Sequence, residues 1–196
     1  STSLTTPHRG DFALPTHHSP RVNGDRHSTS FHRALARHGL SPLCRNDTVD
    51  LQLNLGYLCN QACTHCHVDA GPRRTELMTQ ETMNRILDWC KQHGIQQVDL
   101  TGGAPELNPH FRYLGETLTR SGIAITSRCN LTILSEPGQN DLSSWYARHR
   151  VRLICSLPCY TQHTVDQQRG RGVYERSINA LKALNQLGYG DDELLV

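Results

Sequence analysis

The chain has 196 residues, enough for one domain with its own core, and a formal charge of +2 with a pI near 8.2 offers no dedicated nucleic-acid surface. Its apolar runs are only a few residues long, far short of the ~20 needed to span a membrane. Eight cysteines are an even number, but a chain of this length with no secretory h-region in its first thirty residues is a poor disulfide-stapled mini-protein, which points to reduced thiols in a cytosol-like, cytoplasmic setting.

Residues 1–30 are rich in Ser, Thr, His, Pro and Arg with little to bury, which predicts a disordered extension. Half of the twelve histidines fall between His8 and His38, at irregular spacings that favour a polar tail over a metal-binding one. Residues 31–50 read as a docking segment, with Phe31, Leu35 and Leu40 able to pack on a following domain. From Leu51 onward strand and helix patterns alternate, which predicts an α/β fold with a parallel sheet and crossover helices over residues 51–196. The expected strands are Leu51 to Tyr57, Gln97 to Thr101, Ile123 to Ser127 and Val151 to Ser156. Thr79 caps a helix carrying Met83, Ile86, Leu87 and Cys90 that Gly94 stops, and Asn108 caps a second, with Pro109 at its first position and Gly122 at its end. Further helices are expected from about Asp141 to His149 and from about Tyr174 to Leu187. Leu194 to Val196 read as the start of a fifth strand, so a fragment of a longer protein is expected.

Cys59, Cys63 and Cys66 form a CX3CX2C triplet directly after the first strand. Three thiolates on one short loop can wrap three corners of an iron-sulfur cubane and leave one iron open to a small molecule. Zinc is the structural alternative, with His65 or His67 as fourth ligand, but neighbouring ligands on so short a loop strain a tetrahedral site. The triplet resembles the signature of the radical S-adenosylmethionine (SAM) enzymes. That resemblance implies a partial (β/α)6 TIM-like barrel, incomplete in this chain, with a [4Fe-4S] cluster on Cys59, Cys63 and Cys66 and SAM chelating the open iron.

Ligands of parallel β/α folds bind at the C-terminal ends of strands. After the second strand comes Gly102-Gly103-Ala104-Pro105-Glu106, where paired glycines admit a close ligand and a carboxylate can receive an ammonium group. This resembles the family's GGE motif, which implies backbone contacts from Gly102 and Gly103 and a Glu106 contact to the SAM amine, although two residues separate the second glycine from Glu106. Asn130, after the third strand, stands where the family contacts the SAM ribose. Ser156, after the fourth, and Arg169, in Gln168-Arg169-Gly170, match positions that could hold the methionyl carboxylate. Three of these have structural alternatives: a turn for the glycines, a left-handed Asn for Asn130, a solvated loop Arg for Arg169.

The run from Leu51 to Met78 narrows the resemblance to the radical SAM/Cys-rich domain family, also called arsenosugar biosynthesis radical SAM proteins. Thr101 to Glu106, Arg128 to Thr132, Ser156 to Tyr160 and Glu175 to Ile178 reinforce it. It implies reductive cleavage of SAM to a 5′-deoxyadenosyl radical, a reducing electron donor as partner, and a small-molecule substrate, a dimethylated arsenical that becomes adenosylated. No nucleic-acid or membrane partner is expected. Cys129 and Cys159 follow strands three and four, where soft thiolates would suit a soft centre, and buried structural cysteine is the alternative. The rival readings are a radical SAM enzyme that modifies a Cys-containing peptide, and a non-enzymatic Cys/His zinc module for structure or interaction.

Overall fold

Alternating side chains and three parallel strand pairings determine what this chain can bury. The computed structural model describes residues 30–44, 47–157 and 159–190, so most of the expected N-terminal extension and the fifth strand at Leu194 to Val196 lie outside the described residues. The chain divides into two units, residues 1–46 and 47–196. The first carries helix α1 (Ser30–Arg37), which spaces Phe31, Ala34 and Leu35 at three- and four-residue intervals. Among the described residues no helix is long and apolar enough to cross a membrane.

The second unit holds one sheet of four parallel strands, β1 (Asp50–Asn54), β2 (Gln97–Thr101), β3 (Ala124–Cys129) and β4 (Arg152–Cys155), in spatial order β1-β2-β3-β4. Between them run α2 (Gln80–His93), α3 (Phe111–Arg120) and α4 (Leu142–Arg148), and α5 (Gln162–Arg169) and α6 (Val173–Gln186) follow β4. This is the partial barrel expected of a radical SAM core. The register aligns Leu53 with Leu100, Val98 with Ile125, and Ser127 with both Leu100 and Leu153, so these side chains share one face of the sheet. That face buries against Met83, Leu87 and Cys90 of α2, Phe111, Leu114 and Leu118 of α3, and Trp145 and Tyr146 of α4. The opposite face carries Gln52, Asp99, Arg128 and Ile154, where Gln52 Nε2 donates to Asp99 Oδ2 at 2.8 Å and Arg128 Nη2 pairs with the same oxygen at 2.8 Å.

Helix ends follow the local chemistry. The Thr79 hydroxyl accepts from Thr82 N, and Gly94 closes α2 in a left-handed conformation, as its sequence predicts. Asn108 departs from expectation. A short 3-10 turn, Pro105–Leu107, precedes it, α3 begins only at Phe111, and the buried Asn108 amide donates to Leu55 O and Met78 O, both at 2.9 Å, tying the start of α3 to the chain leaving β1. Helix α5 was not expected; Val165 is its one buried residue, too little apolar periodicity to read.

Where α3 meets α4, Trp145 lies against Phe111 at 5.3 Å between ring centroids and fills the space over Gly115. An added Cβ at Gly115 would stand 2.5 Å from Trp145 Cη2. In an exposed helix, Gly→Ala gains up to ~1 kcal/mol, whereas overpacking a core costs about 1–3 kcal/mol. Gly115→Ala should therefore lower stability by about 1 kcal/mol in urea denaturation; a rise would contradict this packing.

Candidate functional site

The site is built on a loop that leaves β1 and folds back onto its own base. Asn54 Oδ1 accepts from Gly56 N at 2.9 Å and turns the chain out of the sheet. The returning segment closes the loop through Cys59 N to Gly71 O at 3.2 Å, Gly71 N to Tyr57 O at 3.0 Å, and Tyr57 N to Glu76 O at 2.9 Å. Arg74 clamps the outside: its guanidinium pairs with Glu76 at 2.8 Å and Asp69 at 3.1 Å and lies 4.7 Å from the centre of the Tyr57 ring. The turn after β2 then seats against the loop, with Gly103 N donating to Gly56 O at 3.0 Å and Ala104 N to Leu58 O at 2.9 Å.

These contacts enclose a cleft of about 460 Å³ at the C-terminal ends of the strands. All three cysteines line it, together with Gly102, Gly103, Asn130, Ser156 and Arg169, so the structure brings together every expected site residue except Glu106. His65, His67, Arg128 and Ile154 are among the other residues of its wall. Cys59 Sγ accepts from Gln61 N at 3.4 Å and from Asn130 Nδ2 at 3.5 Å, and Cys66 Sγ accepts from Ala70 N at 3.3 Å. Burial pushes the Cys59 thiol up, opposed by those two hydrogen bonds. Burial also raises Cys63, opposed by the positive charge of Arg169. Arg169 reaches the cleft from the last turn of α5, its Nη1 donating to Ser156 O at 2.8 Å while its buried Nε has no hydrogen-bond partner.

Glu106 corrects the expectation. Its carboxylate points into the core, where the Tyr146 hydroxyl donates to Oε1, and Oε2 has no hydrogen-bond partner. Two residues beyond Gly103 the chain is already in the 3-10 turn that carries this side chain inward, behind the sheet. Cys129 lies on that same buried side, in register with Cys155 on β4, so it faces away from the cleft. Cys159 is not part of the cleft wall either; its Sγ lies 3.7 Å from Thr161 Oγ1. Asn130 does not take the left-handed conformation considered for it; the positive φ falls on Leu131, at 47°, with ψ of −44°.

Sequence reasoning missed Asn60, Gln61 and Thr132, which bind the loop to the end of β3. Gln61 Nε2 donates to Thr132 Oγ1 at 2.7 Å, and Asn60 Nδ2 to Thr132 Oγ1 at 3.1 Å and to Glu136 Oε1 at 2.8 Å. Two amides set between the first two cysteines were the available signal. Among the described residues no three His, Cys, Asp or Glu side chains gather as one metal ion requires.

Residues 53–195 match the radical SAM superfamily. The chain belongs to that superfamily. The superfamily's cofactors are a [4Fe-4S] cluster and SAM, and the three thiols, with N–H donors to Cys59 and Cys66, and the unpartnered Arg169 Nε fit that pair. Mycofactocin maturase MftC of Mycobacterium ulcerans is 27% identical over 160 residues, 81% of this chain and 41% of that protein. SuiB of Streptococcus suis bound to SAM superposes with a TM-score of 0.62 at 18% identity, covering 80% of this chain and 35% of SuiB. SuiB bound to its precursor peptide SuiA gives a TM-score of 0.60 at 21% identity over 80% of this chain and 34% of that one. The chain thus spans less than half the length of these relatives.

Burial raises the Glu106 carboxyl to about 7 from an ordinary 4.5, against the hydrogen bond from Tyr146. Folded protein therefore keeps a proton that unfolded chain releases above pH 4.5, and stability falls as pH rises from 4.5 to about 7, then levels off. The loss amounts to about 3 kcal/mol for a fully buried group. Urea denaturation across this range should show the decline, and Glu106→Gln should flatten it; an unchanged slope in the variant would assign the effect elsewhere.

Proposed function

We propose that Cys59, Cys63 and Cys66 hold a [4Fe-4S] cluster with one iron left open, and that Gly102, Gly103, Ser156 and Arg169 hold SAM against it. The observation that supports this most directly is a single cleft lined by all three thiols and by a buried, unpartnered Arg169 Nε. When bound, the reduced cluster supplies the electron that cleaves SAM to methionine and a 5′-deoxyadenosyl radical. The chain's own part is to position SAM. Ser156 O holds Arg169 Nη1, which orients the guanidinium and leaves Nε to receive a carboxylate. Gly102 and Gly103 present backbone without side chains at the same cleft.

For the substrate, the similarity to MftC and to SuiB, which was solved with a precursor peptide, supports modification of a peptide. The sheet face leading from the cleft carries Gln52, Asp99 and Arg128, polar groups able to bind backbone amides and carbonyls. The second reading, adenosylation of a methylated arsenical, keeps the support of the sequence runs from Leu51 to Met78 and from Thr101 to Glu106. Its soft-thiol argument is gone, because neither Cys129 nor Cys159 lines the cleft.

Anoxically reconstituted protein with SAM and a low-potential reductant should release 5′-deoxyadenosine and methionine, and Cys63→Ala should reduce this at least ~100-fold along with most of the iron. Iron-free protein that binds zinc would overturn the enzyme reading. Mass spectrometry separates the substrates: transfer of deuterium from a labelled Cys-containing peptide into 5′-deoxyadenosine supports the peptide reading. A product containing both arsenic and the deoxyadenosyl group, formed from a trivalent dimethylated arsenical, supports the other.

A further inference from the structure

The Asn130 side chain has no hydrogen-bonding capacity left for a ligand. A primary amide carries two N–H donors and two acceptor lone pairs. Nδ2 donates to Asn60 Oδ1 at 2.7 Å and to Cys59 Sγ at 3.5 Å. Oδ1 accepts from Ile133 N at 3.1 Å and from Thr132 Oγ1 at 3.3 Å. All four sites are taken inside the protein, one of them by a cluster-loop cysteine. The other donors to these sulfurs, Gln61 N to Cys59 and Ala70 N to Cys66, are backbone groups. Among the described residues Asn130 is therefore the side-chain N–H donor to a thiol of the triplet, and it comes from the residue that follows β3, not from the loop itself.

The amide is fixed in this orientation from several directions. Asn60 Oδ1 accepts from it, while Asn60 Nδ2 is anchored on Thr132 Oγ1 and Glu136 Oε1. Glu136 is approached in turn by Arg176 of α6 at 3.7 Å. Thr132 also receives Gln61 Nε2. Rotating Asn130 to reach a ligand would break several of these bonds together. A hydrogen bond to a ligating sulfur withdraws electron density from it and stabilises the more negative, reduced cluster over the oxidised one, which raises the reduction potential.

We infer that Asn130 is a positioning residue whose amide donates to the Cys59 sulfur and raises the potential at which the cluster accepts its electron. This rests on the reading of Cys59 as a cluster ligand. It assigns to the turn after β3 a direct grip on the cluster, where a ribose contact would act on SAM alone.

The test is an EPR-monitored redox titration of the reconstituted chain, without SAM, for wild type, Asn130→Leu and Asn60→Ala. Asn130→Leu keeps the shape and removes the donor; its one-electron reduction should become about tenfold less favourable, a shift of ~59 mV to more negative potential, at wild-type iron content. Asn60→Ala leaves Asn130 in place but removes the carbonyl that orients it, so it should shift the same way by a smaller amount. SAM affinity by calorimetry gives the contrast: a ribose contact would weaken SAM binding in Asn130→Leu and leave the SAM-free potential unmoved. That pattern, or a wild-type potential at full iron content, overturns the inference. If Asn130→Leu takes up no iron, Asn60→Ala decides, and an unchanged potential there overturns it. Wild-type protein without iron would instead remove the ligand reading, and this inference with it.

Discussion

The cysteine loop can stand where it does because two residues of the neighbouring turn have no side chain. A Cβ on Gly103 would lie 2.4 Å from Leu58 O, and one on Gly102 would lie 2.5 Å from Gly56 O. Gly102 also has φ of 138°, a conformation that strains any other residue. Both clashes are with backbone, which cannot swing aside. With them absent, the amides of Gly103 and Ala104 bond directly to the carbonyls of Gly56 and Leu58, immediately before Cys59. The first cysteine is thereby held at a set height above the end of β2. The paired glycines serve the loop as well as any ligand, a role that turn statistics alone do not suggest.

The strict alternation of a strand does the second half of the work. Parity sends Cys129 to the helix side of β3, beside the Cys155 register position, and sends Arg128 to the other face. Cys90 is buried on α2 for the same kind of reason, by helical spacing. Five of the eight cysteines are thus sorted by geometry. Cys90 and Cys129 lie in the core, while Cys59, Cys63 and Cys66 share the cleft. Glu106 is drawn into the buried set too, where a carboxyl held near neutrality and bonded by Tyr146 belongs to the packing between the β2 turn and α4. A residue close in sequence to a ligand-binding turn can still fall behind the sheet, because a single 3-10 turn reverses the direction of its side chain.

Much of this was legible in the sequence. β2 begins and ends where its pattern predicts, the other strands differ by one to three residues at their ends, and α2 starts and stops at its expected caps. Those elements carry strong local signals, either apolar alternation or a cap residue with one conformational solution. What was not legible depends on contacts between distant parts of the chain. Asn108 looks like a cap and in fact bridges Leu55 and Met78, and Arg169 reaches the cleft on a helix with a single buried residue. Asn130 was readable as a residue at the end of a strand. Its partner at Cys59, 71 positions earlier, was not.

The central claim is that three cysteines bind a cluster whose remaining iron is free for SAM. Mössbauer spectroscopy of iron-57-reconstituted protein, recorded with and without SAM, tests it most directly. The account predicts a cuboidal cluster in which one iron alone changes its isomer shift and quadrupole splitting when SAM is added. Spectra identical with and without SAM, or iron bound outside a cluster, would contradict it.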